Sequence, residues 1–230
     1  MLLTNVVERL QAYEHDGMHY HLAATGIYAA RAVSSDVLSP AYCPYIIAGL
    51  IAYDMARQLG TAPYRQFATR LQHCLDSLRP VLTPLLTLSL TTVDIDACEI
   101  AISKAYETLA AKGPEGLHVT GKKHFYVGAS KILHWLNPEL FLILDGHIAT
   151  AFHHHPDPYA RISIYRAGAP KYSSTVYLQC LRLAQREILT YGEARLRCEG
   201  QGLPLANIYG NTAFQYALIL AAQAAATTPW

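Results

Sequence analysis

Apolar residues recur at three- and four-residue intervals through most of this chain, and strict alternation is rare, so the pattern predicts helices and few strands. The expected helices cover about Thr4 to Tyr13, His19 to Val33, Tyr42 to Leu59, Tyr64 to Leu78, Ile95 to Ala111, Val127 to Leu136, Gly146 to Phe152, Ser173 to Tyr191 and Thr212 to Ala226. Boundary residues support them. Asp94 or Asp96 can cap the fifth helix, Asp145 the seventh, Ser173 or Ser174 the eighth and Asn211 the ninth, because a short polar side chain accepts from the free amides of a first turn. Gly60, Gly113 and Gly192 lie just past helix ends. The run Val81 to Val93 reads as a buried extended segment. Loops fall where proline and glycine cluster, at Lys112 to Gly121 and His155 to Pro170. With no repeat and no low-complexity linker, the expectation is a single all-α domain over residues 1 to 230.

Within that pattern the stretch from Gly128 to Ile148 is the most informative. On a helical wheel Ala129, Ile132, Leu133 and Leu136 form one buried stripe, while Lys131 points away with Val127, Gly128 and Trp135, and with His134 at the margin. This face predicts a pocket around the amine. Asn137-Pro138 ends the helix, since the residue before proline is driven out of the helical region. The apolar run Leu140 to Leu144 then leads to Asp145, the cap of a helix over His147 to Phe152.

Composition narrows the classes. At 52% hydrophobic the chain has ample core-forming material and is not of the disordered type. The net charge of +1 argues for no particular partner, but its distribution is uneven. Met1 to Gly60 holds five acidic and three basic residues, whereas Arg161 to Arg197 holds seven basic ones against Glu187 and Glu193. Together with Lys122 and Lys123 that half could carry a basic face; an ordinary solvated helix surface would look the same. The five cysteines, Cys43, Cys74, Cys98, Cys180 and Cys198, are odd in number and form no C-x-x-C, so they read as reduced thiols. The first residues lack a secretory pattern, and apolar runs such as Tyr45 to Tyr53 are too short to span a bilayer. The expected setting is therefore cytoplasmic, with no membrane partner.

A lysine amine is nucleophilic only in its neutral form, which burial beside apolar groups favours. Lys131 with Asp145 is the minimum kit for imine chemistry at a sugar carbon, although a lone lysine off the stripe and a capping aspartate are also ordinary packing features. Eleven histidines raise the alternative of a metal-dependent hydrolase: His147, His153, His154, His155 and Asp157 form one group, and His15, Asp16, His19 and His21 another. Adjacent histidines at 153 to 155 cannot all face one centre, and no His-Glu-x-x-His is present, so no metal site is expected.

The segment Ser130-Lys-Ile-Leu-His-Trp-Leu-Asn-Pro-Glu-Leu-Phe141, followed by Asp145-Gly-His-Ile148, resembles the helix-hairpin-helix DNA glycosylases, and most nearly the divergent bacterial 8-oxoguanine-glycosylase-like proteins. The resemblance covers roughly thirty residues and places the hairpin element at about 121 to 152. It implies a base-excision glycosylase with abasic-site lyase activity on damaged DNA, oxidised purines among the candidate lesions. Lys131 would be the nucleophile and Asp145 the assisting carboxylate. Lys122, Lys123, His124, Gly128, Ser130 and His147 would contact DNA, and Tyr126 and Trp135 would line the pocket for an extruded base. The chain departs from the family at Tyr126, which stands where the first hairpin glycine belongs, and in the short interval from Lys131 to Asp145. Only Cys180 and Cys198 lie toward the C-terminus, so no iron-sulfur cluster and no other cofactor is expected. A helical nucleic-acid-binding module without catalysis is the alternative.

Overall fold

The computed structural model describes residues 1–16, 30–31, 34–52, 64–111, 117, 125–166 and 169–227. Among these the fold is all-α, with nine α-helices: α1 (Val6–Asp16), α2 (Cys43–Ala52), α3 (Tyr64–Leu82), α4 (Ile95–Ala110), α5 (Tyr126–Leu136), α6 (Gly146–His153), α7 (Ser174–Tyr191), α8 (Glu193–Glu199) and α9 (Leu205–Thr227). A two-residue antiparallel ladder, β1 (Tyr165–Arg166) with β2 (Ala169–Pro170), is the only extended pairing among the described residues. The helix expected over His19 to Val33 and the glycines at 60 and 113 lie almost wholly outside the described residues.

The capping chemistry sets several boundaries. Asp94 accepts from the amide of Ala97 at 3.0 Å, Asp145 from His147 and Ile148, and Ser173 from Val176. Gly192 ends α7 and opens α8 with φ at +96°, a conformation glycine reaches without a Cβ penalty. Tyr126, placed by resemblance at a hairpin glycine position, is instead the first residue of α5 and is absent from the positive-φ residues.

Three expectations need correction. The segment from Val81 is neither extended nor wholly buried: α3 runs through Pro80 to Leu82 and passes into a 3-10 turn at Thr83–Thr87, with Leu82, Leu85, Leu90 and Val93 buried and the threonines at 83, 87 and 92 exposed. Pro80 and Asp76 both face solvent, so water can serve the carbonyl that the proline leaves without a donor. The short helix α8 was not anticipated. Finally, α9 begins at Leu205 rather than at Thr212, and Asn211 lies inside it, 8% exposed, instead of capping it.

The helices pack in two groups. α4 is central to one, touching α3, α5 and α7, with α2 against α3 and α5; in the other, α9 lies along both α1 and α6. Residues 137–145 join the groups, and they are tied down from both sides. Asn137 donates from Nδ2 to the carbonyls of Leu85 and Leu88 and accepts from the amide of Glu139. Ser130 Oγ accepts from the amide of Leu144 at 3.0 Å, and Tyr177 Oη donates to Leu142 O at 2.9 Å. An apolar run that forms no sheet thus finds backbone partners among side chains, which is what permits its burial. No helix of the described residues is long and apolar enough to cross a membrane.

Candidate functional site

Helix α5 does not present one apolar face and one open face. All nine residues from Gly128 to Leu136 are buried, because α2, α4 and the 137–145 segment surround it. Lys131 is therefore not directed into an open pocket; it is 4% exposed. Burial brings its pKa down from 10.5 to about 8, opposed only in part by the charge of the Asp145 carboxylate. The carboxylate has a second duty. Its Oδ1 accepts from the amides of His147 and Ile148 at 3.0 and 3.1 Å, so part of its charge is spent on the N-terminus of α6.

One helical turn past Lys131 stands His134. Its Nδ1 lies 2.6 Å from Phe141 O, and since a carbonyl can only accept, Nδ1 carries the proton. The other side of the ring meets the side chain of Asn207 from α9. Complete burial holds the ring neutral, with its pKa lowered to about 4, and the guanidinium of Arg31 acts in the same direction. Arg31 itself caps α5, donating from Nη2 to the carbonyls of Trp135 and Leu136 at 3.2 Å.

Asp145 and His134 line a partly open cleft between α6, α9 and the end of α1. Tyr13 and Phe214 form an edge-on aromatic pair on its wall, 5.4 Å between centroids, and His147 sits edge-on to Phe214 at 4.8 Å. Asn207 and Asn211, 2% and 8% exposed, stand at i and i+4 on α9, so two amide side chains face the same space. Between them Gly210 leaves the wall without a side chain. On its other side Asp145 couples to Tyr172, whose hydroxyl is pushed upward in pKa by burial first and then by that carboxylate.

The remaining residues singled out in the sequence fall into three sets. Trp135 packs into the core: it is 3% exposed, and a Cβ on Gly49 of α2 would come within 2.8 Å of its ring. Tyr126 stacks on Tyr106 and donates to Glu107 at 3.2 Å, on the α4 side of α5. Neither lines the cleft, so the aromatic wall belongs to Tyr13 and Phe214 instead. Gly128 and Ser130 are buried: the Phe125 ring occupies the space where a Cβ of Gly128 would stand, and Ser130 Oγ bonds the backbone at Val127 and Leu144. Both act in packing rather than at a surface. His147 is exposed at the cleft rim, while Lys122, Lys123 and His124 lie outside the described residues.

The basic face is reduced by pairing. Arg182 bonds Asp96 and Glu99, Arg195 bonds Glu199, and Arg197 bonds Glu139 and Glu193. Among the described residues no group of three or more His, Cys, Asp or Glu side chains is placed to hold a metal ion; His19 and His21 lie outside them. His155 turns away from its neighbours to Glu187, 2.9 Å from Nε2 to Oε1.

Sequence reasoning missed the α9 half of the site, Asn207, Gly210, Asn211 and Phe214. The amides four residues apart are a signal, but the expected helix starts only at Thr212, with Asn211 as its cap. No family model, no curated protein and no solved structure matches this chain.

Proposed function

We propose that the chain is a DNA base-excision glycosylase with abasic-site lyase activity, working through a Schiff base on Lys131 with Asp145 as the assisting carboxylate. The observation that carries this reading is a buried amine, its pKa lowered to about 8, within electrostatic reach of a carboxylate that also lines a cleft. At pH 7.5 such an amine is roughly one-quarter neutral, against roughly one part in a thousand for an ordinary lysine. A neutral amine can attack the anomeric carbon of a damaged nucleotide. The departing base takes the bond pair and a proton, the ring opens to an imine, and loss of the proton on the neighbouring carbon expels the 3′ phosphate. Asp145, held by two amides, would offset positive charge at the sugar and accept or return protons. The cleft beside it would take the extruded base between aromatic edges, with Asn207 and Asn211 offering donors and acceptors to its hydrogen-bonding edge.

Borohydride reduction on duplexes bearing an abasic site or an oxidised purine should yield a covalent adduct with the wild type and none with Lys131→Gln. No adduct on any damaged duplex would remove the proposal. A second reading, a helical nucleic-acid-binding module without chemistry, draws on the 4% exposure of Lys131. It expects salt-sensitive DNA binding and no trapping.

A further inference from the structure

Tyr159 is 100% exposed, more than any other large apolar side chain among the described residues, and it sits on the turn Pro158–Ala160 just beyond α6. A phenol ring left wholly in water contributes nothing to folding. Yet the turn that carries it is heavily braced. Pro156 and Pro158 fix two backbone φ angles, and Asp157 Oδ1 accepts from the amide of Tyr159 at 3.0 Å. The amide of Asp157 donates to His155 Nδ1 at 3.1 Å, and His155 Nε2 reaches the buried Glu187. Arg161 Nε donates to His155 O, while Ala160 and Ile162 are buried on either side of that arginine.

The charged residues of the chain around the turn are mostly cations. Between Gly146 and Tyr172 the sequence has Arg161, Arg166 and Lys171 against the single carboxylate of Asp157, which is engaged as a cap. Arg161 and Lys171 are exposed, and neither bonds a carboxylate among the described residues, unlike Arg182, Arg195 and Arg197. A solvent-facing aromatic ring on a braced turn, with exposed cations two and twelve residues further along the chain, matches a polyanion that carries flat rings.

We infer that Tyr159 is a stacking contact for an unpaired base of DNA, with Lys171 and Arg161 meeting the adjoining phosphates. The inference rests on DNA being the partner in the proposed function, though not on the lysine chemistry. Helix α6, eight residues and about 12 Å long, leads from its cap at Asp145 to residues 154–157 and then to this turn, so the stacked base would lie elsewhere along the strand than the nucleotide at Asp145. Because the backbone that carries the ring is already braced, stacking would have only the side chain left to order.

The test is a fluorescence titration of the full chain with a short single-stranded DNA carrying 2-aminopurine, alongside borohydride trapping on an abasic duplex. Wild type and Tyr159→Phe should quench the 2-aminopurine equally. Tyr159→Ala should lose the quench and bind roughly tenfold more weakly, with unchanged melting temperature because the ring packs on nothing. Lys171→Gln should lower the slope of log affinity against log salt by about one. If Tyr159→Ala binds and quenches as wild type does, the stacking role is overturned, and trapping by that variant would leave the proposed activity standing without it. Equal losses in Tyr159→Phe and Tyr159→Ala would overturn stacking in favour of a hydroxyl contact. A wild type that binds no DNA would end both.

Discussion

The two ends of α6 each border a cluster of buried ionisable groups, and the clusters behave in opposite ways. At the N-terminal end, Lys131 and His134 are pushed by burial toward their neutral forms, to about 8 and about 4. Beyond the C-terminal end, Glu187 is 4% exposed, and burial alone would raise its pKa, yet hydrogen bonds hold it below 4.5. The difference is partners. Glu187 receives three donors: the Leu2 amide at 2.8 Å, Tyr209 Oη at 2.9 Å and His155 Nε2 at 2.9 Å. Lys131 feels a carboxylate already engaged by two amides, and the carbonyl of Phe141 accepts the proton of neutral His134. A buried charge with its lone pairs filled is architecture. A buried group shifted away from its charge is poised to exchange a proton or attack a carbon.

The largest effect expected from breaking this contrast is at Glu187. Glu187→Ala leaves His155, Tyr209 and the Leu2 amide buried without an acceptor and should cost about 3–5 kcal/mol in urea unfolding at pH 7. Glu187→Gln, which keeps one acceptor oxygen, should recover part of that loss. A cost below about 1 kcal/mol for the alanine variant would mean that the cluster anchors nothing.

Much of the fold was readable because local and tertiary preferences agree. Asp94, Asp145 and Ser173 cap the helices that their positions announce, since an N-cap is a contact between near neighbours. Where the two disagree the sequence misleads. Asn207, Gly210 and Asn211 have local signatures of a break, but α9 passes through them because its buried polar face meets His134 and the cleft. The same limit applies to the site. Lys131 and Asp145 are close in sequence, and the electrostatic coupling between them follows from one turn and one cap. That α5 is enclosed on every side, and that His134 finds a partner seventy-three residues downstream at Asn207, depends on long-range packing with no local trace.

A smaller effect should separate the clusters by pH. Unfolded His134 takes up its proton near 6.5, whereas the folded ring resists until about 4. Between those values the unfolded chain binds the extra proton, so stability falls as pH drops through the window, by about 3 kcal/mol in all. Glu187 acts lower: its folded pKa is depressed, so its contribution is intact above 4.5 and is lost as pH falls through the folded value. Urea midpoints across pH 7 to 3 should show both stages. His134→Asn should flatten the first and leave the second; an unchanged first stage would show that the histidine is not held neutral.

The smallest effect is the most discriminating, because it asks whether Lys131 belongs with Glu187 or opposite it. With a folded pKa of about 8 against 10.5 when unfolded, the amine penalises folding in full below pH 8. That penalty is relieved as pH rises from 8 to 10.5, where the unfolded chain still holds the proton. Lys131→Met removes the desolvation cost but leaves Asp145 without its cation. The carboxylate keeps two amide donors and the open cleft, so the net should be a gain of about 1 kcal/mol at pH 7 and a flat profile between pH 8 and 10.5. A variant that folds better than wild type and no longer traps DNA would place the lysine among groups kept for chemistry at the expense of stability. A variant that unfolds as readily as Glu187→Ala would make Lys131 a structural member of the core, and the reading without catalysis would take its place.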